Sequence, residues 1–244
     1  CKDNGIKDNH IDIIRETWMS TRKYNQDIIE RIEDIYLESD SNTLRQKIAE
    51  HFIPTQQEKK GFAEIPTPVK LVDEMLDKIP EEFWKSPKKV LEPSCGKGNF
   101  VLGIYDRFFK GLENMYPDEN ERHRTIVEEC LWFGDLSSLN VFITSELTRC
   151  HSNGFETPNS FAGDTLQKKW DFKFDAVIGN PPYDKGKNSN FYINFIEYSK
   201  SVLSHDGLLL FVVPNRFLVK NHKANKILNT LNVKFIHHTL TNFV

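Results

Sequence analysis

Residues Val90–Phe100 read VLEPSCGKGNF. Two apolar residues lead to an acid, and a Gly-x-Gly turn then opens the amphipathic run Asn99–Leu112. This is the pattern of a short buried strand handed to a helix through a tight turn. Glycines let the backbone pass close to a ligand, and Glu92 sits at the strand tip, where a carboxylate can meet a cationic group. The spacing is neither that of a Walker loop nor that of G-x-G-x-x-G, so phosphate binding does not follow from it.

The same texture recurs along the chain. Strands are expected at Lys89–Leu91, Cys130–Asp135, Ser160–Gly163, Phe174–Gly179, Leu208–Val213 and Lys234–Leu240. Amphipathic stretches lie between most of them, at Asn99–Leu112, Leu136–Arg149, Asn190–Leu203 and Val219–Leu231. Alternation of this kind predicts an α/β fold with a mostly parallel sheet, in which ligands bind beyond the C-terminal ends of the strands.

Upstream, residues 1–58 show helical apolar spacing (Ile11, Ile14, Trp18, then Ile28, Ile29, Ile32, Ile35, Tyr36) with almost no Gly or Pro, and read as an N-terminal helical segment. Ser41 or Asn42 is the expected cap of a further helix that runs to about Phe52 and ends at Pro54. The chain opens on Cys1 and not on Met, which leaves open that it is a piece of a longer protein.

With 39% hydrophobic and 27% charged residues the chain reads as an ordinary globular protein. No apolar run approaches the roughly 20 residues of a membrane span and no signal-peptide pattern appears, so an intracellular location is expected. Cys1, Cys95, Cys130 and Cys150 are widely spaced, with no C-x-x-C pair, which suggests neither a zinc site nor a disulfide framework. The histidines, His237 and His238 among them, read as structural or surface groups, and no metal is assigned. Net charge is -3, but residues 181–244 hold seven Lys and one Arg against two Asp and one Glu. That local excess of positive charge suits a face turned towards nucleic acid, or simply a solvated surface.

Two more acids fall at strand ends. Asp135 follows CLWFG and Asp164 follows SFAG. Either alone is commonly a helix cap or turn residue. Together, a carboxylate placed for a ribose diol and a second for an adenine amino group argue for a nucleoside ligand.

The fourth expected strand ends in FDAVIGNPPYDKG, Phe174–Gly186. NPPY after a hydrophobic strand, downstream of E-P-x-C-G-x-G-N-F, resembles the S-adenosylmethionine-dependent N6-adenine DNA methyltransferases of the gamma motif order. FAEIPTPVKLVDEML (Phe62–Leu76) is similar to that family's Thr-Pro motif, and NFYINFIEYSKSVLSHDGLLLFVVPNRFL (Asn190–Leu218) follows its helix and Val-Pro strand. The likeness covers about residues 60–240.

The resemblance implies a Rossmann-like class I methyltransferase fold over residues 59–244, with S-adenosyl-L-methionine as cofactor and DNA as partner, in a restriction-modification or other DNA-modification system. Thr67 and Pro68 would touch the methionine end of the cofactor, although the pair also reads as an N-cap with Pro at the first helical position. Glu92, Ser94 and Gly96 would line the methionine part, Asp135 the ribose, Asp164 the adenine amino group, and Pro182 with Phe195 the adenine faces. Phe195 also lies on an apolar helical face with Phe191 and Tyr198, as a core residue does.

The chemistry of NPPY has a physical reading. The N6 lone pair of adenine is delocalised into the ring, so acceptors must draw that nitrogen towards tetrahedral geometry. The Asn180 side-chain carbonyl and the Pro181 backbone carbonyl can each accept one N6 proton. The prolines Pro181 and Pro182 restrict the backbone that holds them, and Tyr183 offers a ring for stacking. Arg216, Lys220, Lys223 and Lys226 follow the strand ending at Val213 and are candidate phosphate contacts, with Phe243 a second stacking candidate.

Two departures stand out. Phe133 occupies the place of a glycine two residues before the ribose acid, and the chain stops at LTNFV where the family continues into a target-recognition region. A missing C-terminal region or a partner chain would then supply target recognition. Protein-glutamine and RNA-adenine N-methyl transfer are rival readings, as is a cofactor-binding subunit without catalysis.

Overall fold

In a computed structural model of the chain, residues 8–39, 43–53, 66–183, 190–219 and 222–236 are described. One sheet is built from β1 Val90–Glu92, β2 Leu131–Asp135, β3 Ser160–Ala162, β4 Phe174–Gly179 and β5 Leu203–Phe211. The order is β3-β2-β1-β4-β5 and every pairing is parallel. Helices α1 Asp8–Glu38, α2 Leu44–His51, α3 Val69–Leu76, α4 Asn99–Gly111, α5 Glu119–Thr125, α6 Ser138–His151, α7 Tyr192–Val202 and α8 Lys223–Leu228 surround it. The fold is thus α/β, as the alternating pattern predicts.

Burial on both faces explains the near-continuous apolar runs of β1, β2 and β4. Val90, Leu131, Phe133, Ala176 and Ile178 join Val72 and Leu76 of α3 and Phe100, Ile104 and Phe108 of α4. Leu91, Trp132 and Val177 turn the other way, into an aromatic cluster with Trp170, Phe172 and Tyr198. Phe174 joins this second face because the register shifts between Phe174 and Ala176. Each fully buried large side chain contributes about 1.5–3 kcal/mol relative to exposure.

Ile28, Ile32 and Ile35 of α1 pack with Leu44 and Ile48 of α2 onto Leu102 of α4 and Ile143 and Leu147 of α6. Polar bonds fix the seating. Tyr36 donates to the Leu147 carbonyl at 2.8 Å, and Arg45 pairs with Asp73 of α3 at 2.6 Å.

Several local expectations change. Helix α2 is entered at Thr43, which makes no side-chain capping bond, while Ser41 and Asn42 lie outside the described residues. Strand β5 begins at Leu203, earlier than expected, because Phe174 pairs with Leu203 ahead of the register shift. The expected strand Lys234–Leu240 is not formed over 234–236, where Phe235 and Ile236 are exposed and form no ladder with β5; 237–240 lie outside the described residues. Helix α8 is shorter than Val219–Leu231.

Thr67 is not a helix cap. Pro68 holds the cap position, and its ring has no polar atom with which to cap, while the Thr67 hydroxyl is engaged by a residue far away in sequence.

Candidate active site

The strand order places a switch point between β1 and β4: the chain moves outwards from β1 to β3 and resumes on the other side of β1 with β4. Loops on either side of such a point diverge and leave a crevice at the C-terminal strand ends. Glu92 closes β1, and Asn180 follows directly on β4.

Glu92 is 2% exposed, and its carboxylate accepts the Ser94 N–H at 3.0 Å. Burial pushes its pKa up to about 8; the Asp135 carboxylate adds to this, and the Ser94 bonds oppose it. A Cβ on Gly179 would overlap both Glu92 carboxylate oxygens, so only glycine at the end of β4 admits the acid there.

Asp135 ends β2 and is also buried. Its oxygens accept the Gly96 N–H at 3.0 Å and the Ser137 N–H at 2.8 Å, so it clamps the glycine turn to the start of α6. Burial raises its pKa, against the pull of those amides, Asn140 and Lys97. An ionised carboxylate has about four acceptor sites, so two backbone bonds do not exhaust it.

The turn itself is held from below. Gly96 (φ 51°) and Gly98 (φ 88°) take left-handed backbone, and Thr144 of α6 lies against Gly98 and donates to the Gly96 carbonyl at 3.1 Å. Lys97 reaches Asn140 at 2.6 Å, and Thr165, 3% exposed, donates to the Pro93 carbonyl at 2.7 Å. Asn140, Thr144, Thr165 and Gly179 were not singled out from the sequence. Asn140, Thr144 and Thr148 recur every fourth residue on the buried side of α6, a polar repeat that was the available signal.

On the β4 side, the Asn180 amide nitrogen donates to Thr67 Oγ1 at 3.0 Å, and the Asn180 backbone carbonyl accepts from Ser94 Oγ at 3.4 Å. Pro181 is buried, Pro182 and Tyr183 half-buried. The Tyr183 ring meets Tyr192 edge-on at 6.5 Å, and burial pushes its pKa up to about 12. Thr67, Glu92, Ser94, Gly96, Asp135 and Asn180 are therefore one hydrogen-bonded neighbourhood.

Other candidates lie further out. Asp164 is exposed and caps the short turn Thr165–Gln167 by accepting from Leu166 N–H at 3.0 Å. Phe195, 5% exposed, meets Phe191, the residue before α7, edge-on at 5.6 Å, and α7 packs on the same turn. Arg216 lies in the 3-10 turn Asn215–Leu218 after β5. Lys220 and Phe243 lie outside the described residues. Among the described residues no group of His, Cys, Asp and Glu could hold a metal ion, and no helix is long and apolar enough to cross a membrane.

Residues 118–243, just over half of the chain, match the family described as Eco57I restriction-modification methylase. The chain belongs to that family. This Eco57I-family chain is 28% identical to the modification methylase CviBIII of Paramecium bursaria Chlorella virus NC1A, over 65% of its own length and 40% of the relative's. It is 25% identical to the type II methyltransferase M.AccI of Acinetobacter calcoaceticus, over 73% and 32%. It thus spans well under half the length of these two relatives.

In fold it is similar to a modification subunit of a putative type I restriction enzyme from Vibrio vulnificus YJ016, with 19% identity, TM-score 0.56, and 78% and 42% coverage. It is also similar to a putative class I S-adenosylmethionine-dependent methyltransferase from Listeria monocytogenes, with 17% identity, TM-score 0.50, and 80% and 60% coverage. The Eco57I-family chain accordingly has the class I methyltransferase fold.

Proposed function

We propose that this chain transfers a methyl group from S-adenosylmethionine to N6 of adenine in DNA, within a restriction-modification system. The observation that carries the proposal is a buried acid, Glu92, at the end of β1, beside an oriented amide, Asn180, that directly follows the neighbouring strand β4.

The donor set suits the cofactor. Burial penalises the anionic form of Glu92 until a cation pairs with it, and Glu92 would hold the ammonium end of the cofactor beside Ser94 and Gly96. Asp135 would accept from the ribose hydroxyls with the acceptor sites that Gly96, Ser137 and Asn140 leave, and Asp164 from the adenine amino group. Pro182 and Phe195 would flank the adenine ring. S-adenosylmethionine supplies the sulfonium-bound methyl as electrophile.

The chain's own task is to present the target nitrogen. The Asn180 amide nitrogen is directed to Thr67, and its oxygen would accept one N6 proton. The Pro181 carbonyl would accept the other. The two bonds localise the nitrogen lone pair and aim it, so placement supplies much of the rate and no base need remove a proton before attack. The methyl–sulfur bond would break as the methyl–nitrogen bond forms, leaving a neutral thioether, and the alkylated nitrogen would then lose one proton to water. An adenine inside a duplex cannot reach this site, so the base must be flipped out, and the half-buried Tyr183 ring offers a stacking surface. Target selection is assigned to sequence beyond this chain or to a partner, in keeping with the share of its relatives that the chain spans.

The test supplies tritium-labelled cofactor with duplex DNA, RNA or a glutamine-bearing protein as acceptor. Label in N6-methyladenine of DNA is expected. Label recovered from RNA or from glutamine, with none in DNA, would overturn the substrate assignment.

A further inference from the structure

Two hydrogen bonds from distant parts of the chain meet at Thr67. Its hydroxyl accepts from the Asn180 amide at 3.0 Å across 113 residues of sequence, and its backbone carbonyl accepts from the Asn99 amide at 2.8 Å across 32. Thr67 is 5% exposed, so water does not readily replace either bond. Asn99 is the first residue of α4, directly after the glycine turn.

The terminal torsion of an asparagine is broad and nearly two-fold, so nothing within the residue selects which of oxygen and nitrogen faces the target. The two choices are chemically opposite. An amide oxygen accepts an N6 proton, whereas an amide nitrogen would set a donor against a donor. In this structure the amide is tied down by a neighbour: its nitrogen is turned to Thr67 Oγ1, and its oxygen faces the other way.

We infer that Thr67 is a positioning residue for the catalytic amide, and that Asn99 steadies Thr67 from the head of α4. The inference rests on the proposed role of Asn180, and it differs from the contact to the cofactor's methionine end that the family resemblance implies for Thr67. It links the upstream Thr-Pro segment, the glycine turn and the NPPY segment into one device that sets the amide before substrate arrives.

Thr67→Val keeps the shape and removes the acceptor, while Thr67→Ser keeps the hydroxyl. Expected for Thr67→Val is a kcat at saturating cofactor at least about tenfold lower, with cofactor Kd within about threefold of wild type; Thr67→Ser restores kcat to within about threefold. Asn99→Ser, which withdraws support from Thr67 without touching Asn180, should lower kcat by a smaller factor in the same direction.

A readout without substrate keeps this independent of the proposed reaction. In 15N-labelled protein the Asn180 side-chain amide pair, assigned by its absence in Asn180→Asp, should be dispersed in wild type and in Thr67→Ser, and should move towards solvent-exposed values in Thr67→Val. If the Asn180 signals are the same in wild type and Thr67→Val, or if Thr67→Val loses cofactor affinity while kcat is kept, Thr67 serves the cofactor alone and the inference is overturned. Absence of methyl transfer by wild type, with the amide signals shifting as expected, would count against the proposed reaction and not against the positioning role.

Discussion

The carboxylate of Glu92, at the tip of β1, fills the space that a side chain on Gly179, at the tip of β4, would occupy. Two strands adjacent at the switch point thus share one volume, and the acid can stay buried there only while Gly179 has no side chain. Gly179→Ala must displace Glu92 or spread the strands, at about 1–3 kcal/mol for an overpacked site. A lowered melting temperature and weakened cofactor binding should appear together in thermal denaturation and calorimetry. Unchanged affinity would show that the position of Glu92 does not matter to the cofactor.

Glu92 also predicts a pH dependence. Its folded pKa of about 8 lies above the ordinary value near 4.5, so between these the native state keeps a proton that the unfolded chain has released. This group's effect is therefore a fall in stability as pH rises from about 4.5 to about 8. Without cofactor, Glu92→Gln should gain in melting temperature relative to wild type between pH 5 and pH 8. The stabilisation that cofactor gives wild type should be much reduced in the variant. An identical difference between variant and wild type at both pH values would rule out a raised Glu92.

Strand tips were legible because a buried parallel strand is a short apolar run, and the polar residue ending it is pinned to the C-terminal edge of the sheet. Glu92, Asp135 and Asn180 were found that way. The contacts that orient them were not. Thr67 and Asn180 are 113 residues apart, and no local pattern reports which hydroxyl meets which amide. Locally Thr-Pro reads as a helix start, and α3 does begin just after it, at Val69; the bond to Asn180 is what the local pattern could not report. The strand expected at Lys234–Leu240 rested on local apolar content, which cannot say whether an edge strand is there to pair with it.

The seating of α1 gives a stability prediction. Ile32 is fully buried among α2, α4 and α6, so Ile32→Ala should cost about 2–5 kcal/mol. Tyr36→Phe removes the bond to Leu147 and the approach to His151 Nδ1 at 3.2 Å, at about 0.5–1.5 kcal/mol. Chemical denaturation of each variant should move the single transition of the whole chain. A separate early transition would instead make α1 and α2 an independent unit.

DNA affinity should depend steeply on salt. Lys223 and Lys226 are exposed on α8, beyond the C-terminal end of β5. Reversal of both to Glu should weaken binding to all sequences alike and reduce the salt slope by about one for each phosphate no longer neutralised. Equal affinity of variant and wild type across a salt titration would move the DNA path elsewhere.

The most direct test of the central claim is Asn180→Ala, assayed at once for cofactor binding and for methyl transfer to N6 of adenine in duplex DNA. The account predicts a cofactor Kd close to that of wild type and transfer lowered by about 10²-fold or more, since the variant removes an acceptor for the target amine and leaves Glu92 and Asp135 in place. Transfer that persists in the variant, or cofactor binding that disappears with it, would contradict the assignment of the amide to the target base.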